Sequence, residues 1–504
     1  MNLPIEKSSL LRHWPNALMA LLLAAYVGVI ASYAWGGAGA TDTAGYFNCA
    51  KMLAQGRRIV AQRVLPGADR TKLADETFVP FPSFIARPDG MMAARNPTGF
   101  PLAIAGLAQI PGWDAAAHWI MPLVAVAGPL SVFALGWVTG LPRSHAWAAA
   151  ILVAGGPLYL MMSGFLMSDV PSMACVTLAV TLAWLGRCTG RDRWFFLSGI
   201  FVAASVLVRP ANMLVFLPIA ICAGLDWRRW LLLGLGGLPG AIVLLGYNRC
   251  AFGHALTLGY SGDISEGDFP WRFMGGYLLR LLRLLPLLLP LGALALARNR
   301  RLTWIAAYLC FYSAFKSNPW WWNQRYLLPT FPPAMVGAMW VLGSFFRDQR
   351  ALIRIGASLV VSAAALAVEI GGDVKLEVCS SGRLMSFFSA EAQWLRDNLP
   401  SNSVVVASRA LTGAAYFYTP FPVVTQDQVQ EVACWNEIVR AASAPAGRST
   451  WLALCSRLES IRILSRRIGR SCGRRSFFRS GAMIREIEGH DLPPLEMDKR
   501  TTAT

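Results

Sequence analysis

Charge is scarce in this chain: only 15% of its 504 residues are charged, against 55% hydrophobic, which excludes a soluble protein of ordinary makeup. Histidine is scarcer still. His13, His118, His145, His254 and His490 form no cluster, and the ten cysteines contain no CxxC or His/Cys ligand spacing, so no divalent metal or other cofactor is indicated. Acidic residues are few: 28 stand against 46 basic ones, a net charge of +18. No nucleic-acid motif accompanies that excess, and the basic residues fall between apolar runs and in the C-terminal tail, so nucleic acid is excluded as a partner. Internal repeats are also lacking. Matched halves with comparable interrupted segments, as in a transporter built from repeats, are not found.

What the chain does have is long apolar runs. Trp14 to Trp35 is long enough to cross a hydrocarbon core of about 30 Å. A cleaved signal peptide ending near Ala38 or Ala40 is the rival reading, but the run exceeds the roughly 7–15 apolar residues such peptides carry. Further apolar segments lie at 115–141, 145–163, 168–186, 194–208, 211–225, 229–247, 275–297, 302–316, 325–346 and 351–370. The expectation is an all-α polytopic membrane protein with about 11 transmembrane helices. Short basic connections alternate along it, with Arg143; Arg187, Arg191 and Arg193; Arg228 and Arg229; Arg298, Arg300 and Arg301; and Arg347, Arg350 and Arg354. That alternation puts the amino terminus in the cytoplasm. It requires residues 194–225 to form two short helices bent at Arg209-Pro210, where proline removes a helix hydrogen bond.

This topology delivers three substantial pieces to the outer side: 36–114, 247–275 and everything after about Gly371. The first piece opens with Asp42, stranded at a membrane edge, followed by a helical pattern that puts Tyr46, Ala50, Leu53 and Ala54 on one face. Farther on, Asn96-Pro-Thr-Gly-Phe-Pro-Leu leads into 102–110, too short to span and expected to lie in the interface as a helix.

The order of these pieces resembles a known family. Asp42-Thr-Ala-Gly-Tyr46 with Ala50, Leu53 and Gly56, then Asn96-Pro97-x-Gly99-Phe100-Pro101-Leu102, is similar to the polyprenyl-phosphate-dependent glycosyltransferases of the GT-C fold. The nearest branch is the bacterial one related to protein mannosyltransferases and lipid A aminoarabinose transferases. Met167-Ser-Asp-Val-Pro171, Val208-Arg-Pro-Ala-Asn212, Tyr247-Asn248 with Phe252-Gly253 and Gly259-Tyr260, and Gln324-Arg-Tyr-Leu-Leu-Pro329 extend the likeness over about residues 14–345. One departure stands out. The family often has a second acid beside the first, and this chain has Thr43.

The resemblance implies transfer of a sugar from a polyprenyl-phosphate donor to a glycan, lipid or protein acceptor, on the outer face of the cytoplasmic membrane. A carboxylate would take the acceptor's proton and cations would stabilise the leaving phosphate. Asp42 is the candidate base, with N-capping of a helix starting near Ala44 as its structural role. Asp169 is the second candidate acid, and it too is placed to cap a helix whose first turn holds Pro171.

For the lipid phosphate the candidates are Arg209, Arg325, Arg280, Arg283, Lys51 and Arg95, since arginine matches phosphate bidentately. Arg280 and Arg283 share a helix face, where snorkelling to the interface explains them equally well. The run Pro319-Trp-Trp-Trp-Asn323 reads as an interfacial aromatic belt.

The resulting division is a transmembrane catalytic domain over 1–370, with outer loop 36–114 carrying Asp42, and an extracytoplasmic α/β domain over 371–504. In the latter, 387–399 has helical spacing and 403–407 and 423–424 are β-rich. The arginine-crowded stretch 457–479 reads either as a surface for anionic headgroups or polysaccharide or as a solvated face. Cys379, Cys434, Cys455 and Cys472 fall on the outer side, allowing up to two disulfides. Two rival functions stand beside the inverting glycosyltransferase: a transporter or flippase of lipid-linked glycans, and an inactive relative in which Thr43 marks lost catalysis.

Overall fold

The computed structural model describes residues 14–39, 41–260, 274–284, 292, 321–345, 351–401, 403–429, 432–443, 450–455, 476–479 and 482–487. Expected span 302–316, most of 275–297, the Arg300 loop, most of the arginine-crowded tail and Cys472 lie outside them. The helices are α1 Trp14–Tyr33, α2 Thr41–Ala54, α3 Gly99–Ala108, α4 Trp113–Val138, α5 Arg143–Ala154, α6 Pro157–Gly164, α7 Asp169–Thr189 and α8 Arg193–Val208. They continue with α9 Phe216–Ala223, α10 Trp227–Phe252, α11 Met274–Leu284, α12 Phe331–Phe345, α13 Ala351–Lys375, α14 Ser381–Asn398, α15 Arg409–Tyr418 and α16 Val432–Ser443. The strands are β1 Ile59–Ala61, β2 Phe84–Ala86, β3 Met91–Ala94, β4 Val404–Ala407, β5 Val423–Thr425, β6 Thr450–Cys455, β7 Ser476–Arg479 and β8 Ala482–Ile487.

Four helical stretches are long and apolar enough to cross a membrane, and five are if a bent pair counts as one span, among the described residues. The bent pair is α5 and α6, which turn by 59° where one continuous span over 145–163 was expected. Gly155 and Gly156 sit at the turn, and Pro157 has no N–H to return to the carbonyl of Val153. A second break falls at Arg209. Its φ of −153° and ψ of 110° are extended, as expected of a residue preceding proline, and a 3-10 turn over Pro210–Val215 leads into α9.

The chain folds into two compact units that are not sequential. The first gathers 1–36, 111–240 and 265–382, and the second 37–110, 241–264 and 383–504. The loop bearing Asp42 therefore clusters with the C-terminal region.

In the first unit α4, α7 and α8 pack side by side, and α12 and α13 pack on α5. Tyr159 donates its hydroxyl to the Ala125 carbonyl at 2.7 Å, in the space that Gly128 leaves by lacking a Cβ. The 3-10 segment Trp321–Thr330 runs into α12 and packs against α6, α7 and α11.

In the second unit a three-stranded antiparallel sheet, ordered β1-β3-β2, accompanies a five-stranded sheet ordered β5-β4-β6-β8-β7. β4 runs parallel to β5 and β6, while β8 is antiparallel to β6 and β7. Helix α2 lies on α15 so closely that a Cβ on Gly413 would stand 2.7 Å from that of Ala44. Asn48 of α2 donates to the Gly413 carbonyl at 2.9 Å. The core around them includes Cys49, Met52, Phe84, Met92, Leu395, Val405 and Tyr416. Cys434 here and Cys379 in the first unit are free thiols, so neither carries a bridge.

Candidate functional site

Asp42 lies inside the first turn of α2, which begins at Thr41 and not near Ala44 as the capping reading required. Its carboxylate therefore sits at the positive end of the helix, where the first N–H groups have no helical partner. The field of Asp42 reaches Arg95, whose guanidinium stands 5.0 Å from the Phe81 ring and 5.2 Å from the Tyr260 ring. Arg409 approaches Phe81 from 4.8 Å. Burial draws the Arg95 guanidinium below its ordinary pKa and Arg409 adds to this, while Tyr260 and Asp42 act in the opposite sense. Two guanidiniums thus share the Phe81 ring, and one of them, Arg95, lies in the field of the carboxylate.

The adjoining loop is tightly held. Asn96 is buried with its Oδ1 above Gly45, where a Cβ would stand 2.5 Å away, and its Nδ2 has no hydrogen-bond partner. Thr98 is buried beside it with an equally unpartnered Oγ1. Thr43, standing where a second acid was expected, is buried and hydrogen bonds through Oγ1 to the Met385 sulfur at 3.9 Å. Arg95 also lines a cavity of about 560 Å3, walled by Phe81, Phe84, Ala93, Phe252 and Leu258.

Lys51 is not part of this group. Nine residues along α2 it lies about 13 Å from Asp42 in helical rise, with its ammonium 4.7 Å from the Phe417 ring. Burial, then the nearby Arg63, depresses its pKa. Arg63 stacks 3.8 Å from the Tyr416 ring and donates to the Tyr416 and Thr419 carbonyls at 2.9 and 2.6 Å. These cations fasten the α15 corner.

In the first unit Asp169 opens α7 as a first-turn residue, and Ser168 holds the cap position without a side-chain cap bond. Asp169 is 1% exposed and accepts from Arg209 Nη2 at 2.7 Å, while the same nitrogen reaches Ser168 Oγ at 3.2 Å. The break before Pro210 is what brings Arg209 to α7, and Asn212 secures it by donating to Ser172 Oγ and the Ser205 carbonyl, both at 2.8 Å.

Arg325 meets the same cluster from the 3-10 segment, donating to the Met167 sulfur at 3.1 Å and the Tyr326 hydroxyl at 3.3 Å. The Tyr326 ring lies 5.3 Å from the Arg209 guanidinium and 5.2 Å from that of Arg325. Among the described residues, two guanidiniums gather here beside the Asp169 carboxylate.

Of the expected pair on α11, Arg280 is half-buried and Arg283 is exposed. The structure therefore groups Asp169, Arg209 and Arg325 in one unit and Asp42 with Arg95 in the other. Tyr326, Gln324, Tyr260, Phe81 and Arg409 were not singled out as site residues. Gln324 is wholly buried with both amide atoms unpartnered. Tyr326, Gln324 and Tyr260 sit inside motifs already noted for their family likeness, which was the available signal. Phe81 and Arg409 carried none.

No family model and no curated protein matches the sequence. Solved structures do, and the fold they define is GT-C, the architecture of membrane glycosyltransferases. ArnT from Cupriavidus metallidurans, bound to undecaprenyl phosphate, superposes over 94% of this chain and 97% of its own, with a TM-score of 0.62 at 11% identity. The apo oligosaccharyltransferase of Archaeoglobus fulgidus matches over 88% of this chain and 69% of its own, with a TM-score of 0.51 at 11% identity. The mycobacterial arabinofuranosyltransferase AftD matches over 90% of this chain and 37% of its own, with a TM-score of 0.52 at 17% identity.

Proposed function

We propose that this protein is a membrane glycosyltransferase that moves a sugar from a polyprenyl-phosphate donor to a glycan, lipid or protein acceptor, with inversion at the anomeric carbon. The observation that carries the reading is the convergence of Arg209 and Arg325 on one Tyr326 ring, beside the buried Asp169 carboxylate, within a chain of GT-C fold. Two guanidiniums so placed suit a leaving phosphate.

In the reaction, the acceptor hydroxyl or amine gives its proton to the Asp42 carboxylate as its oxygen or nitrogen bonds to the anomeric carbon. The bond from that carbon to the phosphate oxygen breaks, and the electron pair leaves with the polyprenyl phosphate. Arg209 and Arg325 hold the departing phosphate, with Arg280 and Arg283 on the neighbouring helix and Arg95 as further donor contacts. Lys51 takes the weakest part, being turned to Phe417. Asp169 positions Arg209. The reaction takes place on the outer face of the cytoplasmic membrane, with the amino terminus inside.

Purified protein in proteoliposomes, given radiolabelled polyprenyl-phosphate sugars and candidate acceptors, tests this. Covalently labelled acceptor is the expected product. Label crossing the bilayer without a new bond would make the protein a flippase, and neither outcome across the donor panel would make it the inactive relative that Thr43 allows.

A further inference from the structure

Two carboxylates in the first unit take no part in the chemistry above. Glu369 and Asp373 stand one turn apart on α13, 4% and 8% exposed, and bear on each other electrostatically. Neither oxygen of Glu369 has a hydrogen-bond partner, nor does Asp373 Oδ1, and among the described residues no cation pairs with either. Two uncompensated carboxylates inside an apolar helix layer are expensive, and such residues mark proton or ion sites.

Their surroundings point to a ligand. Glu369 faces the break between α5 and α6. A Cβ placed on Gly156 would lie 3.4 Å from the Leu152 carbonyl oxygen, 3.5 Å from that of Val153 and 4.0 Å from Glu369 Oε1, so three oxygens surround one point. A Cβ on Gly155 would stand 4.0 Å from Glu369 Oε2. Pro157 offers Val153 no helical donor, and the Val153 carbonyl accepts instead from the Gly156 N–H at 3.3 Å, one lone pair remaining toward Glu369. The helix layers meet closely here, since a Cβ on Gly155 would press on Leu366 at 2.6 Å and one on Gly372 would touch Pro157 at 3.3 Å.

Phenolic hydroxyls and the Cys379 thiol also lie within the field of Asp373. The Tyr26 and Tyr33 hydroxyls both feel the charge of Asp373, and they donate to the Ala154 and Leu160 carbonyls at 3.0 and 2.8 Å. No group of three His, Cys, Asp or Glu side chains gathers among the described residues, so an ion here would take carbonyl oxygens beside the two carboxylates.

We propose that Glu369 and Asp373, with the Leu152 and Val153 carbonyls beside the α5–α6 break, form a binding site for a hard divalent cation that ties α13 to the broken helix. Two negative charges balance a divalent ion, and mixed carboxylate and carbonyl oxygens are the donors that Ca2+ takes. The site is independent of the transfer reaction and stands or falls separately from it.

Full-length protein in detergent, stripped with a chelator, is titrated with Ca2+, Mg2+ or Na+ at constant pH and ionic strength while tryptophan fluorescence follows thermal unfolding. Wild type shows a saturable rise in midpoint with Ca2+ or Mg2+, and equilibrium dialysis with Ca2+ gives one ion per chain. Glu369→Gln loses at least about tenfold in affinity, and the Glu369→Gln/Asp373→Asn double variant loses the response while unfolding no lower than ion-free wild type, since it removes the unpaired charges. A response retained by the double variant, a response to Na+ alone, or a midpoint moved by pH and by no cation would each overturn the site, the last making the pair a protonated one.

Discussion

Arg209 donates a hydrogen bond to Oδ1 of Asp169 at 2.7 Å, joining the residue at the α8 break to the first turn of α7. The side chains are 14% and 2% exposed, so little water screens the pair. Asp169 is therefore read as the partner that aims Arg209.

Removing one member of a buried pair strands the other, at a cost of about 3–5 kcal/mol. Asp169→Asn and Arg209→Met should each destabilise by about that much, and the double variant by clearly less than the sum. Unfolding of the four proteins in one detergent gives the coupling. Additivity to within about 0.5 kcal/mol would mean that the two side chains do not depend on each other.

Arg325 offers a test of shape over charge. Its guanidinium lies 5.2 Å from the Tyr326 ring and bonds the Met167 sulfur, a planar arrangement that an ammonium does not reproduce. Arg325→Lys should weaken polyprenyl-phosphate binding by about tenfold in a competition assay, and Arg325→Ala by more. Full affinity in the lysine variant would reduce Arg325 to a point charge.

Gly45 tests the loop beside Asp42. A Cβ there would stand 2.5 Å from Asn96 Oδ1, so Gly45→Ala should push Asn96 away and lower transfer by about a hundredfold, the scale of a 1 Å misplacement. Gly246→Ala, where nothing lies within 4 Å, serves as the control and should keep its activity. Equal rates in both variants would dissociate the loop from catalysis.

Glu437 gives the pH dependence. It accepts from Arg440 Nε at 2.8 Å and from the Asp69 N–H at 2.6 Å, and these bonds, led by Arg440, hold its pKa down to about 2 from 4.5. A depressed carboxylate pKa gives stability that is present above pH 4.5 and drains away as pH falls toward 2. Limited proteolysis of the 65–73 loop should therefore accelerate over that interval in wild type and show a flatter pH response in Glu437→Gln. Identical profiles would contradict the assignment.

Much of this was legible because it is local. The apolar runs, the break at Arg209-Pro210 and the Met167–Asp169 and Gln324–Tyr326 motifs are all short-range signals. The α5–α6 break was missed because apolar content alone continues through Gly155-Gly156, and the cost of the proline is visible only against its carbonyl partner. Longer-range facts were out of reach. Nothing near Asp42 in sequence announces that α2 packs on α15 more than 350 residues later, or that Arg95 is bracketed by Phe81 and Tyr260. Glu369 and Asp373 carry no sequence signal of their own, since their lack of partners is a property of the packing around them.

The central claim is sugar transfer from a polyprenyl phosphate with Asp42 as base. The most direct test measures single-turnover transfer of labelled sugar to acceptor by wild type and by Asp42→Asn, with donor binding measured in parallel. The account predicts a transfer rate lower by about 10²–10⁴-fold in the variant, with donor affinity unchanged and inverted anomeric configuration in the wild-type product. Transfer by Asp42→Asn at the wild-type rate would contradict it.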